Sequence, residues 1–381
     1  MVNTTVATAN EETEFLKKVQ NEYIRGGRFG PYIGKDTNKI IQMNRNINKL
    51  SVPLVAKLGG TGVDGSATLS GNEEALSNYA YTCNPTHKRN AVLIDNEENE
   101  KSAFRLKQEA RPALMNWAME LKRDEIIQAL GAVEAGGTYY NYGGSKGATG
   151  ATAASAANMD TWNSNNTDRI LYGKATSNLT SGDHTTSLGT IDTTADKTTG
   201  TVIRLMKRLA ENADPLIRPV MLKSDEPWFV YFCGSYEFRD IQADLDENHR
   251  DAMPRDKASN PLWTGGDMLF DGVVIKKVPE IDYFIDGGGN SSFSGVWGAN
   301  ATGDSLATAG ASSSRVGVGF LCGAQALAMC VGKSPYFGIK KEDDYQFQNG
   351  VSITMKHDIK KAFFNNKQHG VITHFTSAAA D

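Results

Sequence analysis

The stretch RLKQEARPALMNWAMELKRDEIIQAL, residues 105–130, decides the fold. Its apolar residues recur at steps of three or four, which is the period of an amphipathic helix. We predict a helix over residues 111–133 that either begins at Pro112, because proline is tolerated in the first helical turn, or kinks there. The pair Gly136 and Gly137 is expected to end it. The side chains expected to form its core are Leu114, Trp117 and Leu121.

On the N-terminal side of this helix, the pattern predicts a long hairpin with a glycine-rich tip. Val52 and Leu54 belong to an alternating, strand-like run, and residues 59–65 supply a turn with an Asp-Gly step. The returning limb holds LSGNEEALSNYAY, residues 69–81, and KRNAVLID, residues 88–95, which ends in a short run expected to be a buried strand. An isolated hairpin is marginal in water, so this one needs a partner. The residues assigned to the tip are Gly60, Gly62, Asp64 and Gly65.

A second compact region is predicted from Thr201 onward. It opens with a helix and continues with PWFVYFC, residues 227–233, an apolar run that indicates a strand buried on both faces. Further strands are predicted from Gly272 and over residues 316–331. Alternation at both ends of a turn at residues 365–370 predicts a terminal antiparallel pair.

Two segments have few large apolar residues. The stretch between Gly136 and Gly200 is rich in Gly, Ser and Thr, which favours a thinly packed surface insertion. The N-terminal segment offers one short helix over residues 12–23 and is otherwise polar. The N-terminal segment and the hairpin at residues 52–81 cannot form cores of their own, and a subunit whose extensions are ordered by neighbouring copies explains them best.

Composition excludes several classes of protein. The 381 residues carry 40 basic and 44 acidic side chains, a net charge of −4, which gives no nucleic-acid-binding footprint. No run approaches the roughly 20 apolar residues of a membrane helix, so no membrane association is expected. The N-terminus resembles neither a signal peptide nor an anchor. The four cysteines lack metal or disulfide spacing and are interpreted as reduced core thiols of a cytosolic fold.

A search for catalytic motifs finds none. The acidic run at residues 244–251 lacks the Gly and Glu of a calcium loop, and the GGSKG at residues 143–147 lacks the spacing of a phosphate loop. His357, His369 and His374 show no metal-binding pairing and are interpreted as exposed or hydrogen-bonded strand residues. We therefore expect no enzyme activity, no metal and no cofactor.

Taken in order, several strings resemble the tailed-phage major capsid proteins of the podophage family related to coliphage N-four. The set consists of the returning limb at 69–81, the helix at 105–130, and the later strings IRPVM from Ile217, WFVYFCGSYEFRDIQAD from Trp228, NPLWTGG from Asn260, DGVVIKKVPEI from Asp271 and CGAQALAMCVGK from Cys322. Together they cover roughly residues 30–365.

The resemblance implies an α+β fold of the Hong Kong 97 (Johnson) type. It also implies assembly as hexamers and pentamers into an icosahedral shell in the virion, built in the host cytoplasm. The implied partners are further copies of the chain, a scaffolding protein, a portal at one vertex, a decoration protein, and double-stranded DNA held by confinement. The implied divisions are an N-arm (1–50), an E-loop (51–98), a P-domain with its spine helix (99–135), an insertion (136–197), an A-domain (198–335) and returning P-domain strands (336–381).

Some relatives of this family cross-link their E-loops through a lysine. Here residues 58–72 contain no lysine, and Lys57 lies at the base of the loop, so a shell without covalent cross-links is expected. Two other classes stay open on the sequence alone. One is a β-rich receptor-binding or decoration protein, which the long helix disfavours, and the other is a hydrolase whose dispersed carboxylates meet only in the fold.

Overall fold

The computed structural model describes residues 28–66, 68–95, 97, 101, 106–140, 154–221, 227–252, 267–282, 316–343 and 348–379. The helix expected over residues 12–23 and the GGSKG string lie outside these residues. The α-helices within them are α1 (Leu106–Gly131), α2 (Ala156–Asn165), α3 (His184–Gly189), α4 (Gly200–Asn212) and α5 (Ser235–Ala252).

Runs of strands, paired both parallel and antiparallel, are separated by these helices, and the fold is α+β. The strands are β1 (Ile33–Gly34), β2 (Ile41–Arg45), β3 (Leu50–Val55), β4 (Asn78–Cys83), β5 (Thr86–Asp95), β6 (Val133–Ala135), β7 (Thr138–Tyr140), β8 (Ile170–Tyr172), β9 (Val220–Met221), β10 (Pro227–Cys233), β11 (Asp267–Phe270), β12 (Val273–Lys277), β13 (Val316–Cys322), β14 (Leu327–Asp343), β15 (Gln348–Lys361), β16 (Phe363–Phe364), β17 (Lys367–Gln368) and β18 (Val371–Ser377).

The chain divides into two compact units. The described parts of the first unit are His87–Glu120 and Ser334–Lys356, which carry most of β5, the first half of α1 and the adjoining parts of β14 and β15. The second unit comprises Gly27–Thr86, Leu121–Lys333 and His357–Asp381.

A seven-stranded sheet organises the second unit. Its order is β11-β12-β10-β13-β18-β8, with β9 paired to β10. Phe232 of β10 is opposite Phe320 of β13, which in turn is opposite Thr373 of β18. Apolar residues cover both faces of this sheet, Phe232 on one and Tyr231 on the other. This confirms the prediction that the run at 227–233 is buried on both faces.

The helix predicted from Thr201 is confirmed as α4. Its Val202, Ile203 and Met206 are buried in the cluster that also contains Tyr231. At its N-terminus, the backbone N–H of Gly200 donates to Asp244 Oδ2 at 2.7 Å. A carboxylate satisfies a donor left unpaired by the helix, so part of the acidic run caps α4.

The bounds predicted for α1 are partly wrong. The helix begins at Leu106, five residues earlier than predicted, and Pro112 lies inside it on an exposed position. Of the three side chains expected to form its core, Leu114 and Leu121 are buried and Trp117 is half-buried.

Gly136 and Gly137 do not end α1. Both have positive φ, +59° and +78°, and they form the two-residue turn between β6 and β7. Two successive left-handed residues give the turn that matches the twist of paired strands, which glycine adopts without strain.

The terminal antiparallel pair is also corrected. β18 pairs with β13 and β8, and not with β15, which lies in a different sheet. The turn at Asn365 and Asn366 joins only the short strands β16 and β17. Alternation identified the strands correctly but carried no information about their partners.

The thin packing expected between Gly136 and Gly200 is wrong for residues 154–197. Trp162 of α2, Tyr172 of β8 and Leu188 of α3 are all buried in the main core. Asn163 Nδ2 donates to the Tyr172 hydroxyl at 2.9 Å. A few large side chains, with polar neighbours paired to them, fill this part of the core.

Candidate functional site

The described residues hold no obvious reaction centre. They contain no group of three or more His, Cys, Asp and Glu side chains that could hold a metal ion. No helix among them combines the length and apolar character needed to span a bilayer. Any functional site must therefore be sought among buried polar networks or exposed apolar surfaces.

A chain of hydrogen bonds joins Glu237, Tyr231 and His374 inside the second unit. The Tyr231 hydroxyl lies 3.2 Å from Glu237 Oε2 and 3.0 Å from His374 Nδ1, and His374 Nε2 lies 3.0 Å from the Gly173 carbonyl oxygen. A carbonyl oxygen only accepts, so His374 Nε2 donates to the Gly173 carbonyl oxygen. The Tyr231 hydroxyl donates to Glu237 Oε2 and also lies within hydrogen-bond distance of His374 Nδ1.

Burial favours the neutral form of both Glu237 and His374, the two side chains at the ends of this hydrogen-bonded chain. It raises the pKa of Glu237 well above the usual range, with Asp282 adding to the rise, and it lowers the pKa of His374 to about 4. Glu237, Tyr231 and His374 are all buried. Because a substrate cannot reach these buried side chains, the network takes no part in catalysis. It joins α5, β10 and β18.

A second buried network surrounds Arg169 and Lys361. Arg169 donates to the backbone carbonyls of His369 and Pro215, the first at 2.9 Å. Lys361 Nζ donates to Gln368 Oε1 at 2.7 Å and to the Ala132 carbonyl at 3.2 Å. Burial lowers the pKa of Lys361 to about 7. Arg169 also forms an ion pair with Asp168, whose Oδ2 lies 3.5 Å from Arg169 Nε. The Arg169 and Lys361 side chains hold neighbouring segments of the core together by binding their backbone carbonyls.

The four cysteines are buried and none is disulfide-bonded. Burial raises the pKa of Cys83, Cys233 and Cys322, which disfavours the reactive thiolate form. His357 is likewise buried, with Nε2 2.6 Å from Glu125 Oε2. The side chains of His357 and His374 are thus hydrogen-bonded core residues, whereas His369 is partly buried and its ring Nδ1 has no hydrogen-bond partner among the described residues.

The β3–β4 hairpin is different, because it exposes apolar side chains. Val52 is opposite Tyr81 in the antiparallel pair, which confirms the predicted hairpin. In its connecting loop, residues 56–77, nearly every described residue is exposed. Leu58, Leu69 and Leu76 are 57%, 63% and 64% exposed. We call residues 50–83 the exposed hairpin.

The predicted tip residues lie in this loop. Gly62 and Gly65 have positive φ, +72° and +64°, and Asp64 between them is exposed. The Gly60 backbone N–H donates to Glu74 Oε2 at 2.8 Å, and the Gly59 N–H donates to Glu74 Oε1 at 2.6 Å. Sequence reasoning missed Glu74. Its contacts with Gly60 and Gly59 span 14 and 15 positions of a loop, and such a separation follows no periodicity.

The first unit also exposes apolar side chains. Exposed or half-exposed residues lie on β5, α1 and β14, and β5 contributes to a cavity of about 370 Å³. The cavity is lined by Ala91, Val92, Leu93, Lys340, Gly350 and Ser352. The further exposed apolar residues are Met115, Met119, Tyr336, Phe337 and Ile339. Surfaces of this kind mark sites of association between proteins.

Comparison with known proteins agrees with a role in association. The sequence profile of the phage capsid protein family matches residues 3–379. The chain is similar to the capsid asymmetric unit of cyanophage Pam1, with 35% identity, full coverage of both chains and a TM-score of 0.86. It shares its fold with the capsid of Ralstonia phage GP4 at 18% identity, covering 100% and 99% of the two chains with a TM-score of 0.67. The major capsid protein of Pseudomonas phage KPP25 is 23% identical over 371 residues, 91% of this chain and 90% of that protein.

Proposed function

The chain belongs to the phage capsid protein family, and we propose that its copies assemble as hexamers and pentamers into an icosahedral shell around the double-stranded DNA genome of a tailed phage. It is a structural component of the virion capsid and not an enzyme. The observation that carries the proposal is the match to the phage capsid protein family over residues 3–379.

The exposed apolar surfaces support assembly. The leucines of the exposed hairpin remain largely accessible in the isolated chain, and so do several apolar residues of the first unit. In the proposed shell, the tip at Gly60, Gly62, Asp64 and Gly65 lies on an adjacent subunit. Burial there would recover about 25 cal/mol for each Å² of apolar surface removed from water.

We further propose that the fold is of the Hong Kong 97 type, in the lineage related to coliphage N-four. The exposed hairpin then belongs to the E-loop (51–98), and α1 is the spine helix of the P-domain (99–135), with Leu114, Trp117 and Leu121 along it. The seven-stranded sheet draws β9 to β13 from the proposed A-domain (198–335), but it also includes β8 and β18 from outside that range. Packing of residues 154–197 therefore joins the proposed insertion to the same core.

The proposed partners are a scaffolding protein during assembly in the host cytoplasm, a portal at one vertex, a decoration protein and the packaged DNA. A net charge of −4 suits this role, since confined DNA does not need many phosphate contacts and closely packed copies avoid repulsion. We also propose a shell without covalent cross-links, because residues 58–72 contain no lysine.

Electron microscopy of the full chain tests the proposal. The chain would be expressed alone and together with the scaffolding protein of the same phage. Closed icosahedral particles are the expected result, and they should dissociate to single subunits on a denaturing gel. A discrete soluble trimer under both conditions would contradict shell assembly, and a ladder of covalent oligomers would contradict the absence of cross-links.

A further inference from the structure

The inference concerns Glu74, which joins the two limbs of the exposed hairpin beyond the end of its strands. Just beyond the paired strands β3 and β4, the Ala56 N–H donates to the Ser77 carbonyl oxygen at 2.9 Å. Three residues further toward the tip, the Glu74 carboxylate accepts from Gly59 N at 2.6 Å and Gly60 N at 2.8 Å. We call this pair of bonds the Glu74 clamp.

The clamp depends on glycine at position 60. A Cβ atom built there would lie 2.7 Å from Glu74 Oε2, closer than such atoms approach one another in proteins. Position 59 is less restricted, since a Cβ would lie 3.8 Å from Glu74 Oε1. Gly60 therefore serves the close approach of a carboxylate, in addition to any conformational freedom it gives the tip.

The Glu74 carboxylate in the clamp is ionised. The two backbone N–H groups lower the pKa of Glu74, so the carboxylate is charged at neutral pH. Charge-assisted bonds to two successive amides are short and directional, and they fix the orientation of the peptide that carries them. The side chain is fully exposed to water, where such bonds add little to global stability.

The bonds next to the clamp are local. Beyond it, Asn72 N donates to Leu69 O at 3.0 Å, and Gly71 N donates to Glu73 Oε2 at 2.8 Å. These close a tight turn within residues 68–73. In the described part of the loop, Glu74 is the side chain that ties the outgoing limb to the returning limb.

Its position relative to the apolar residues gives the clamp a use. Leu58 precedes the clamped amides directly, and Leu76 follows Glu74 by two residues. Both leucines are largely exposed, so they gain from burial only when another molecule covers them. A loop already held in shape loses less conformational entropy when it docks.

We propose that Glu74 is a positioning residue for assembly, which pre-shapes the exposed hairpin so that Leu58 and Leu76 dock together on a second copy of the chain. This inference rests on the proposed function, because it presumes that the hairpin contacts a neighbouring subunit. It predicts that loss of the clamp slows assembly without lowering the stability of the subunit.

The test compares Glu74→Ala and Glu74→Gln with the matched control Glu73→Gln. The control removes the same charge from the next residue, whose carboxylate contacts only the nearby Gly71 N–H. Glu74→Gln keeps one acceptor but turns an amide donor toward one of the clamped N–H groups. Three quantities are measured: hydrogen exchange of the peptide containing Gly59 and Gly60, the melting temperature of the subunit, and the rate of shell formation by light scattering with electron microscopy.

We expect Glu74→Ala to lose exchange protection at residues 59–60, to keep its melting temperature, and to assemble roughly tenfold more slowly, the cost of ordering about one residue. Glu74→Gln should be intermediate and Glu73→Gln close to the natural chain. The inference is overturned if Glu74→Ala loses protection but assembles at the natural rate, or if Glu73→Gln slows assembly equally. Absence of shells from the natural chain would instead overturn the proposed function, and this inference with it.

Discussion

The seven-stranded sheet and the exposed hairpin differ in whether their side chains are covered within the chain. In the sheet, every residue of β13 and β18 is buried, including polar residues such as Thr373 and His374. In the hairpin, apolar residues such as Leu69 stay largely in water. The sheet covers its apolar side chains within one chain, whereas the exposed hairpin leaves several of its own uncovered.

The polar bonds show the same difference. His374 makes its two hydrogen bonds away from solvent, where an unpaired group is costly, so the network has to be complete. Glu74 makes its two bonds in water, where either could be replaced by solvent at little cost. We therefore expect loss of the first network to lower the stability of the fold, and loss of the second to change the loop conformation at little cost in stability.

Deletion of residues 60–65 tests the hairpin most severely. Removing the tip should leave a soluble, folded subunit, because no buried core residue is lost, but it should abolish closed shells. Light scattering and electron microscopy check the assembly state, and circular dichroism checks the fold. Normal particles from the deleted chain would show that the hairpin tip is dispensable for assembly.

Phe320→Ala and Leu69→Ala compare the two regions directly. Phe320 is fully buried in β13, so its truncation should cost about 3 to 5 kcal/mol of unfolding free energy. Leu69 is exposed, and its truncation should change the unfolding free energy by less than about 0.5 kcal/mol. Urea denaturation measures both. Equal losses would mean that the hairpin contributes to the core of the isolated subunit.

Trp117→Ala should have a smaller effect than Phe320→Ala. Trp117 is only partly buried on α1, so we expect a loss of about 1 to 2 kcal/mol rather than the full cost of a buried aromatic residue. Leu114→Ala is the matched control, since Leu114 is buried on the same helix. A larger loss for Trp117 than for Leu114 would contradict this order.

Glu237→Gln should change how stability depends on pH. The folded pKa of Glu237 is raised, so the stabilising proton is fully bound in acid and is lost as pH rises toward that raised value. Over this range, one proton contributes a slope of up to about 1.4 kcal/mol per pH unit. The variant has no such proton, and its amide oxygen can still accept from the Tyr231 hydroxyl, so its unfolding free energy should fall less as pH rises above the ordinary range of a glutamate pKa.

The control for this titration is Glu211→Gln, at an exposed position on α4. Other ionisable side chains act on the Glu237 network, namely Asp196, Asp240, Asp282 and Cys233, and they are common to the natural chain and both variants. The difference between Glu237→Gln and the control in the pH dependence of the unfolding free energy therefore reports the proton bound by Glu237. Parallel stability curves for the two variants would show that Glu237 is ionised in the folded chain.

The sheet was also the more predictable region. The run at 227–233 is apolar throughout because both faces of β10 are covered, and that signal is local. Pairing is not local, which is why β18 was assigned the wrong partner. The helix α1 was recognised from its period, but Pro112 misplaced its start, since packing of the later turns outweighs one interior proline.

Two other features could not be read from composition. Residues 154–197 look sparse, yet Trp162 and Tyr172 bury large volumes and the polar residues around them pair locally. Glu74 looks like any exposed loop glutamate, and only the three-dimensional path of the loop brings its carboxylate to Gly59 and Gly60. In both cases, the decisive contacts involve residues whose spacing follows neither a helix nor a strand.

The burial of all four cysteines has a practical consequence for labelling. A thiol reagent added to the natural folded subunit should find no accessible target, because the thiols of the whole sequence are enclosed. Replacing the exposed Asp64 by cysteine would therefore create a single addressable position at the hairpin tip. A fluorophore attached there would report when and how fast one copy meets the next.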